Sequence, residues 1–369
     1  MPTVLAEDFE YDGLPVFRLN KIRRKYRDIF IKMINSGQIK IEDVKVCPCG
    51  HNKFVNISNK DRFGLPFRNM LCCQCGLLIT NPRIAESSLE RYYREVYHPL
   101  IVGLEKGEVA EHLVSVHQGE QIYYWCEPFL SSGGKESLKI LEIGCATGSN
   151  LTSFAKKAGE NGFHFELFGS EYEEENARAA MQKGINIITG GLGAIVKSGI
   201  KIDIIILSHV FEHLIDLSLC LKQLKEILNS NGFIYVEVPG FMNKEILTNW
   251  YGNNFIDYTV HAHIYNFNLA SLKYIFELSG YEMIHGDEFI RAIFKLSQKE
   301  KGEYIEPPKS NYADTISYIN NIPAKNNIMK GSFPFFLKHF LKKHYFNSFI
   351  RKIYYNNIQE KFDLSRIPL

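Results

Sequence analysis

Residues 138–150 read LKILEIGCATGSN. The apolar run of Ile140, Leu141 and Ile143 ends in Gly144, Cys145, Ala146, Thr147 and Gly148, and Leu151, Phe154 and Ala155 then begin a helical spacing. The pattern predicts strand, tight turn, helix. Gly144 and Gly148 can take backbone angles closed to other residues and let a ligand approach the main chain. Free N–H groups at the start of the following helix favour a ligand that carries negative charge there.

Working outward, residues 165–172 (FELFGSEY) predict a second strand ending in Glu171, where a carboxylate can accept both hydroxyls of a ribose. Residues 185–188 predict a third strand, followed by Gly190, Gly191 and Leu192. Residues 202–207 (IDIIIL) predict a buried strand led by Asp203, with SHVFEHL at 208–214 behind it. An amphipathic helix is expected over 217–228, then Asn231-Gly232, a strand at 233–238 and a stop at Pro239-Gly240. A helix over 269–279 and a closing hairpin over 281–296 complete the series.

In this order the segments resemble the class I S-adenosylmethionine (SAM) methyltransferases, whose first motif runs acidic-x-Gly-x-Gly-x-Gly; Ala146 stands here at the middle glycine. The resemblance implies an α/β fold with a seven-stranded Rossmann-like sheet, spanning 136–298, and SAM as cofactor. It implies that Glu142, Gly144, Cys145, Ala146 and Gly148 meet the aminoacyl end, with Glu142 holding the ammonium. Glu171 would clamp the ribose, Tyr172 would lie against adenine, Leu192 would meet the adenine edge, and Ser208 would close the cofactor set. The glycine turn alone also fits a dinucleotide-binding fold.

With 369 residues, 45% hydrophobic and 23% charged, the chain has room for two or three domains and an ample core. A formal charge of +2 neither suggests nor excludes nucleic acid. No run of about eighteen uncharged apolar residues occurs, so no spanning helix is expected. Residues 1–13 lack the basic and apolar regions of a signal peptide, which makes the cytoplasm the expected location.

Five of the eight cysteines fall between Cys47 and Cys75. In a reducing compartment that clustering points to metal before disulfide. Cys47-Pro48-Cys49-Gly50 and Cys72-Cys73-Gln74-Cys75-Gly76 are cysteine turns followed by glycine, the way a zinc ribbon presents four thiolates. Cys47, Cys49, Cys72 and Cys75 are the expected ligands of a structural Zn2+ that gives a small module its folding energy. The one-residue gap in the first turn departs from ribbon spacing and leaves His51 as a substitute for Cys49. A knuckle of this kind, with its exit CQCGLLITNP at 73–82, resembles that ahead of the SAM domain in sugar and glycan methyltransferases, including those that C-methylate deoxysugar nucleotides.

Methyl transfer to a hydroxyl or carbon needs an aligned acceptor and a base, and histidine suits that task near neutral pH. Two groups fall beyond strand ends: His209 and His213, then Tyr258, His261 and His263. His213, Tyr258, His261 and His263 are the candidate bases, with a Tyr258/His261 pair suggested by the sugar C-methyltransferase resemblance. Loop-orienting and packing roles compete for His213 and His263.

Five segments result: a helical arm (1–40), a zinc-ribbon module (41–85), a helical linker (86–135), the SAM domain (136–298) and an extension (299–369). In the linker, Tyr92, Tyr93 and Tyr97 either pack or touch cofactor or glycan, and Gln118 and Gln121 precede the methionine end. Residues 325–369 hold nine Lys or Arg against two acids, interleaved with aromatics. Packing on a second subunit, peripheral docking on a membrane surface and RNA binding compete for them. The function expected is methylation of a sugar nucleotide or surface glycan; an RNA or small-molecule methyltransferase, or an inactive SAM-binding partner subunit, is the alternative.

Overall fold

Asn20 opens the first helix, α1 (Lys21–Asn35), by accepting a hydrogen bond from the Arg23 N–H, and the helix buries Phe30 and Met33 from its apolar stripe. The computed structural model describes residues 9–105, 112–131, 133–189, 191–251, 254–298 and 304–322. Three antiparallel strands follow α1: β1 (Phe54–Ser58), β2 (Arg68–Cys72) and β3 (Leu78–Asn81). Next come α2 (Glu86–Tyr92), which runs on as a π-helical turn over Tyr93–Tyr97, and α3 (His112–Cys126).

Alternating strands and helices then build the large sheet: β4 (Leu138–Ile143), α4 (Ser149–Glu160), β5 (Phe165–Ser170), α5 (Glu174–Gln182), β6 (Asn186–Ile187), β7 (Ile202–Ser208), α6 (Leu217–Ile227) and β8 (Leu228–Glu237). After β9 (Tyr265–Asn266) and α7 (Leu269–Leu278), the hairpin of β10 (Tyr281–Gly286) and β11 (Arg291–Leu296) closes it, and α8 (Asn311–Asn320) follows. The seven strands lie in the order β10-β11-β8-β7-β4-β5-β6, and β11 is antiparallel to both of its neighbours. Chain order reverses between β4 and β7, which opens a crevice at their C-terminal ends. The expected α/β Rossmann-like sheet is therefore present. β8 begins earlier than its expected start at Phe233, because Asn231 and Gly232 ride in a bulge between Leu228 and Phe233 rather than ending the preceding turn.

Side chains of the central strands alternate between two buried faces. Leu141, Ile205, Leu207, Ile234 and Val236 pack with α6 and α7, whereas Ile140, Ile204, Ile206, Phe233 and Tyr235 pack with α3 and α4. Gly119 lies so close to α4 that a Cβ there would overlap Ser153 Oγ.

The cysteine segment joins this body through backbone pairing. β9, which lies beyond β8 in the chain, adds to β3 and makes a four-stranded sheet in the order β9-β3-β2-β1. Cys47, Cys72, Cys75 and Leu77 share one core with Leu221 and Leu224 of α6 and Ile275 of α7. Asn311 of α8 seals the junction, donating to the Cys75 carbonyl at 2.7 Å. The basic aromatic stretch 325–369, and with it the expected membrane, subunit or RNA surface, lies outside the described residues. Among the described residues no helix is long and apolar enough to cross a membrane.

Candidate active site

The C-terminal ends of β4, β5, β7 and β8 line one edge, with Ile143 opposite Ser170 and Ser208 opposite Glu237. Glu142, near the end of β4, is 2% exposed. Its Oε1 accepts from Asn150 Nδ2 at 2.8 Å, and its Oε2 is buried with no hydrogen-bond partner. Burial pushes this carboxyl up to about 8, against the Asn150 bond and with help from the Glu171 charge. An unpaired buried acceptor costs about 1–3 kcal/mol, so this oxygen marks a place that a donor or cation completes.

The turn after β4 is built from left-handed backbone, with φ of 68° at Gly144, 45° at Ala146 and 74° at Gly148. A Cβ at Gly148 would overlap Ile185 Cδ1. Ala146 lacks glycine's freedom, and its N–H is tied to Glu171 Oε2 at 2.9 Å. The other oxygen of Glu171 accepts from the N–H groups of Tyr172 and Glu173 at 2.7 and 2.8 Å. Glu171 thus straps the turn to the end of β5. Tyr172 is 84% exposed, and its hydroxyl lies where a Cβ on Gly191 would fall. From α3, Gln118 Nε2 reaches across the edge to Ser208 Oγ at 2.8 Å and Glu237 Oε2 at 3.3 Å.

Beyond β7 the chain turns sharply at His209, φ 54°, into a short helical turn over Phe211–His213. Glu212 is 1% exposed, and neither carboxylate oxygen has a hydrogen bond. Its Oε1 lies 3.7 Å from both His209 Nδ1 and His213 Nε2. Burial raises this carboxyl, but the charges of His213, His209 and His263 outweigh it and bring it down to about 2. His213 Nδ1 sits 2.9 Å from the Ala262 carbonyl, to which it must donate, and Nε2 faces Glu212. The His263 ring stands nearly perpendicular to that of His213, centroids 4.9 Å apart, and burial together with the His213 charge lowers it to about 3. Tyr93 and Tyr97 approach His213 edge-on at 6.3 and 6.1 Å.

Residues 117–286, which run from α3 to β10 and carry this entire edge, match the model of a methyltransferase domain family. This segment is a methyltransferase domain. No curated protein matches the chain. Among solved structures it is similar to a SAM-dependent methyltransferase from Clostridium acetobutylicum, at 12% identity over 57% of this chain and 99% of that one, TM-score 0.37. It is also similar to magnesium protoporphyrin IX methyltransferase from Synechocystis PCC 6803, at 17% identity over 57% of this chain and 93% of that one, TM-score 0.36. These likenesses are remote and say nothing of a substrate.

The methyltransferase domain gathers Glu142, Gly144, Cys145, Ala146, Gly148, Glu171, Tyr172, Leu192 and Ser208 around the β4 turn and the neighbouring strand ends, although the Cys145 thiol is buried against Gly169. It brings His213 and His263 together. Tyr258 and His261 are bonded within the protein, although Tyr258 lies near enough to Glu212 for that charge to help burial raise its phenol. Tyr258 is 2% exposed among Phe241 and Phe255, and its hydroxyl donates to the Pro239 carbonyl at 2.8 Å. The fully buried His261 ring sits between Asp61 Oδ2, 2.7 Å from Nδ1, and the Tyr92 hydroxyl, 2.8 Å from Nε2. Glu212, Asn150 and Glu237 are site residues that sequence reading did not single out; for Glu212 the Glu-His-Leu motif was the available signal.

In the N-terminal module the Sγ atoms of Cys47, Cys49, Cys72 and Cys75 all lie within 4.8 Å of one another. Cys47 and Cys75 are 3.6 Å apart, and Cys49 and Cys72 are 3.7 Å apart. Cys49, not His51, completes the group; the His51 carbonyl accepts the Cys47 N–H at 2.8 Å, and its backbone also hydrogen-bonds the Cys49 thiol. Hydrogen bonding among the four thiols splits them, pushing Cys47 and Cys75 up and Cys49 and Cys72 down.

Proposed function

We propose that the chain uses SAM to methylate an oxygen or carbon of a sugar nucleotide or surface glycan. The observation that carries the cofactor is the buried, unpartnered Oε2 of Glu142 beside a left-handed turn, an arrangement that fits an ammonium and its carboxylate. Bound SAM supplies an electrophilic methyl group on a sulfonium. Glu142 would hold the ammonium, the turn's N–H groups the carboxylate, and Glu171 would fix the turn while offering the one remaining acceptor position on Oε2 to the ribose. Tyr172 and Leu192 lie beside Gly191, where adenine would be met. Gln118 keeps Ser208 and Glu237 in place next to the sulfonium end.

The acceptor proton would leave on the face made by Glu212, His213 and His263. Tyr258 and His261 are a weaker choice, because their polar atoms are already bonded within the protein. The sugar class is supported by the cysteine knuckle ahead of the domain and by a polar face edged with Tyr93 and Tyr97, which suits a hydroxyl-rich acceptor. Labelled SAM offered with nucleoside diphosphate sugars, RNA and small phenols tests it. Label entering the sugars is expected, and label entering only RNA or the phenols would overturn the acceptor class.

The four cysteines are proposed to hold one structural Zn2+. Thiolates about 2.3 Å from a tetrahedral zinc stand roughly 3.8 Å from each other, close to the 3.6 and 3.7 Å separations here. Four filled positions leave none for substrate. Elemental analysis of protein purified without chelator checks this, and absence of zinc would remove it. Residence in the cytoplasm is proposed on the clustering of unpaired cysteines, and contact with a membrane surface or a second copy through 325–369 on the composition of that stretch alone.

A further inference from the structure

We propose that Glu212, His213 and His263 form a binding site for a divalent first-row transition-metal ion, distinct from the cysteine cluster. One ligand atom from each residue lies within 4.8 Å of the other two. The second observation is the state of Glu212: a carboxylate 1% exposed whose two oxygens both lack hydrogen bonds. A buried charge persists only when it is paired or coordinates a metal. His213 Nε2 stands 3.7 Å from Glu212 Oε1, beyond hydrogen-bonding distance but close enough to share an ion, whereas His209 Nδ1, also 3.7 Å from that oxygen, lies outside the three-residue group and faces the carboxylate as an ion-pair partner.

The histidines are prepared for the task. The Ala262 carbonyl accepts the Nδ1–H of His213 and so orients Nε2 toward Glu212, as a backbone carbonyl commonly does for a ligating histidine. The segment carrying His263 is pinned, since Thr80 Oγ1 donates to the His263 carbonyl at 2.6 Å and the Thr80 N–H to that of Ile264 at 2.9 Å. Both anchors come from β3, so the cysteine module fixes one ligand of this second site. One carboxylate and two imidazoles select Mn2+, Fe2+, Co2+ or Zn2+ over Mg2+ and Ca2+. Three protein ligands leave a coordination position for an acceptor oxygen. That acceptor role rests on the methyl-transfer reading, and with the ion bound the three side chains are its ligands, so the coordinated oxygen would lose its proton to water and not to a histidine; ion binding itself does not rest on that reading.

The test is titration of Mn2+ into the full chain with the cysteine site left loaded, followed by the electron paramagnetic resonance signal of free Mn2+. Wild type should take up a single Mn2+ per chain, and Glu212→Gln and His263→Gln should bind at least about tenfold more weakly while keeping the thermal midpoint and the cysteine-bound metal. Co2+ should occupy the same site with d–d bands and without added thiolate charge transfer. Failure of wild type to bind either Mn2+ or Co2+, or equal binding in folded variants, would overturn the site. If Glu212→Gln does not fold, His263→Gln and the wild-type titration decide. No SAM is present, so this failure is separate from failure of the methyl-transfer reading, which loss of SAM binding would show.

Discussion

Asp61 and Glu212 are both acids at 1% exposure facing histidines, yet their surroundings differ in kind. Asp61 Oδ1 accepts the N–H groups of Phe63 and Leu65, each at 2.9 Å, and Oδ2 accepts from the N–H and Nδ1 of His261 at 3.2 and 2.7 Å. The His261 ring lies 5.0 Å from both Phe30, on which it stacks, and Phe67, to which it is tilted, and it reaches the Tyr92 hydroxyl through Nε2. Every polar atom there has a partner, and the network ties the N-terminal module to the methyltransferase domain. Glu212, by contrast, has histidines at 3.7 Å and no hydrogen bond. Glu142 resembles it, with one oxygen bonded and one not. The completed network reads as architecture and the incomplete ones as places for something to bind.

The largest effect should separate the two acids. Asp61→Ala strips His261 and the Phe63 and Leu65 N–H groups of their acceptor and should cost about 3–5 kcal/mol in urea unfolding. Glu212→Gln removes a buried charge while keeping its shape, and should leave stability within about 1 kcal/mol while methyl transfer is lost. The reverse pattern would break the comparison.

Glu142 sharpens it through pH. Its carboxyl stands near 8 in the free protein, so below that pH it is protonated and must lose the proton to hold an ammonium. SAM affinity should therefore weaken as pH falls from 8 toward 6, approaching about tenfold per pH unit, and Glu142→Gln should remove that slope. The same shift acts on folding with the opposite sense: a carboxyl raised from 4.5 contributes stability below that pH, which is lost as pH rises through 8. Calorimetry across pH on both proteins checks the first effect and thermal unfolding without ligand the second.

A smaller effect is expected at Tyr258. Tyr258→Phe loses only the bond to the Pro239 carbonyl, about 1 kcal/mol of stability, and should leave the transfer rate nearly unchanged. A collapse of rate at unchanged stability would return Tyr258 to the chemistry.

How much of this was legible in the chain depends on sequence distance. The β4 turn, the acidic end of β5 and the cysteine pairs are local, so residues 138–150, Glu171 and the two knuckles declare themselves. The pairing of β9 with β3 joins segments nearly two hundred residues apart, and nothing near Tyr265 signals it. Asp61 and His261 meet across the same span, which is why His261, at a plausible spacing for a base, sits instead in an aromatic core. Glu212 stood in plain view in Glu-His-Leu, but its lack of partners is a property of burial that spacing does not carry. Cys49 departed from ribbon spacing, and only the folded turn shows that its sulfur reaches the other three.

The account stands most directly on the cofactor edge. Calorimetric titration of SAM and S-adenosylhomocysteine into wild type and Glu171→Ala should give micromolar binding in the first and loss of it in the second, because the substitution releases Ala146, Tyr172 and Glu173 together. Absence of binding to wild type, or equal binding to the variant, would contradict the placement of the cofactor on this turn.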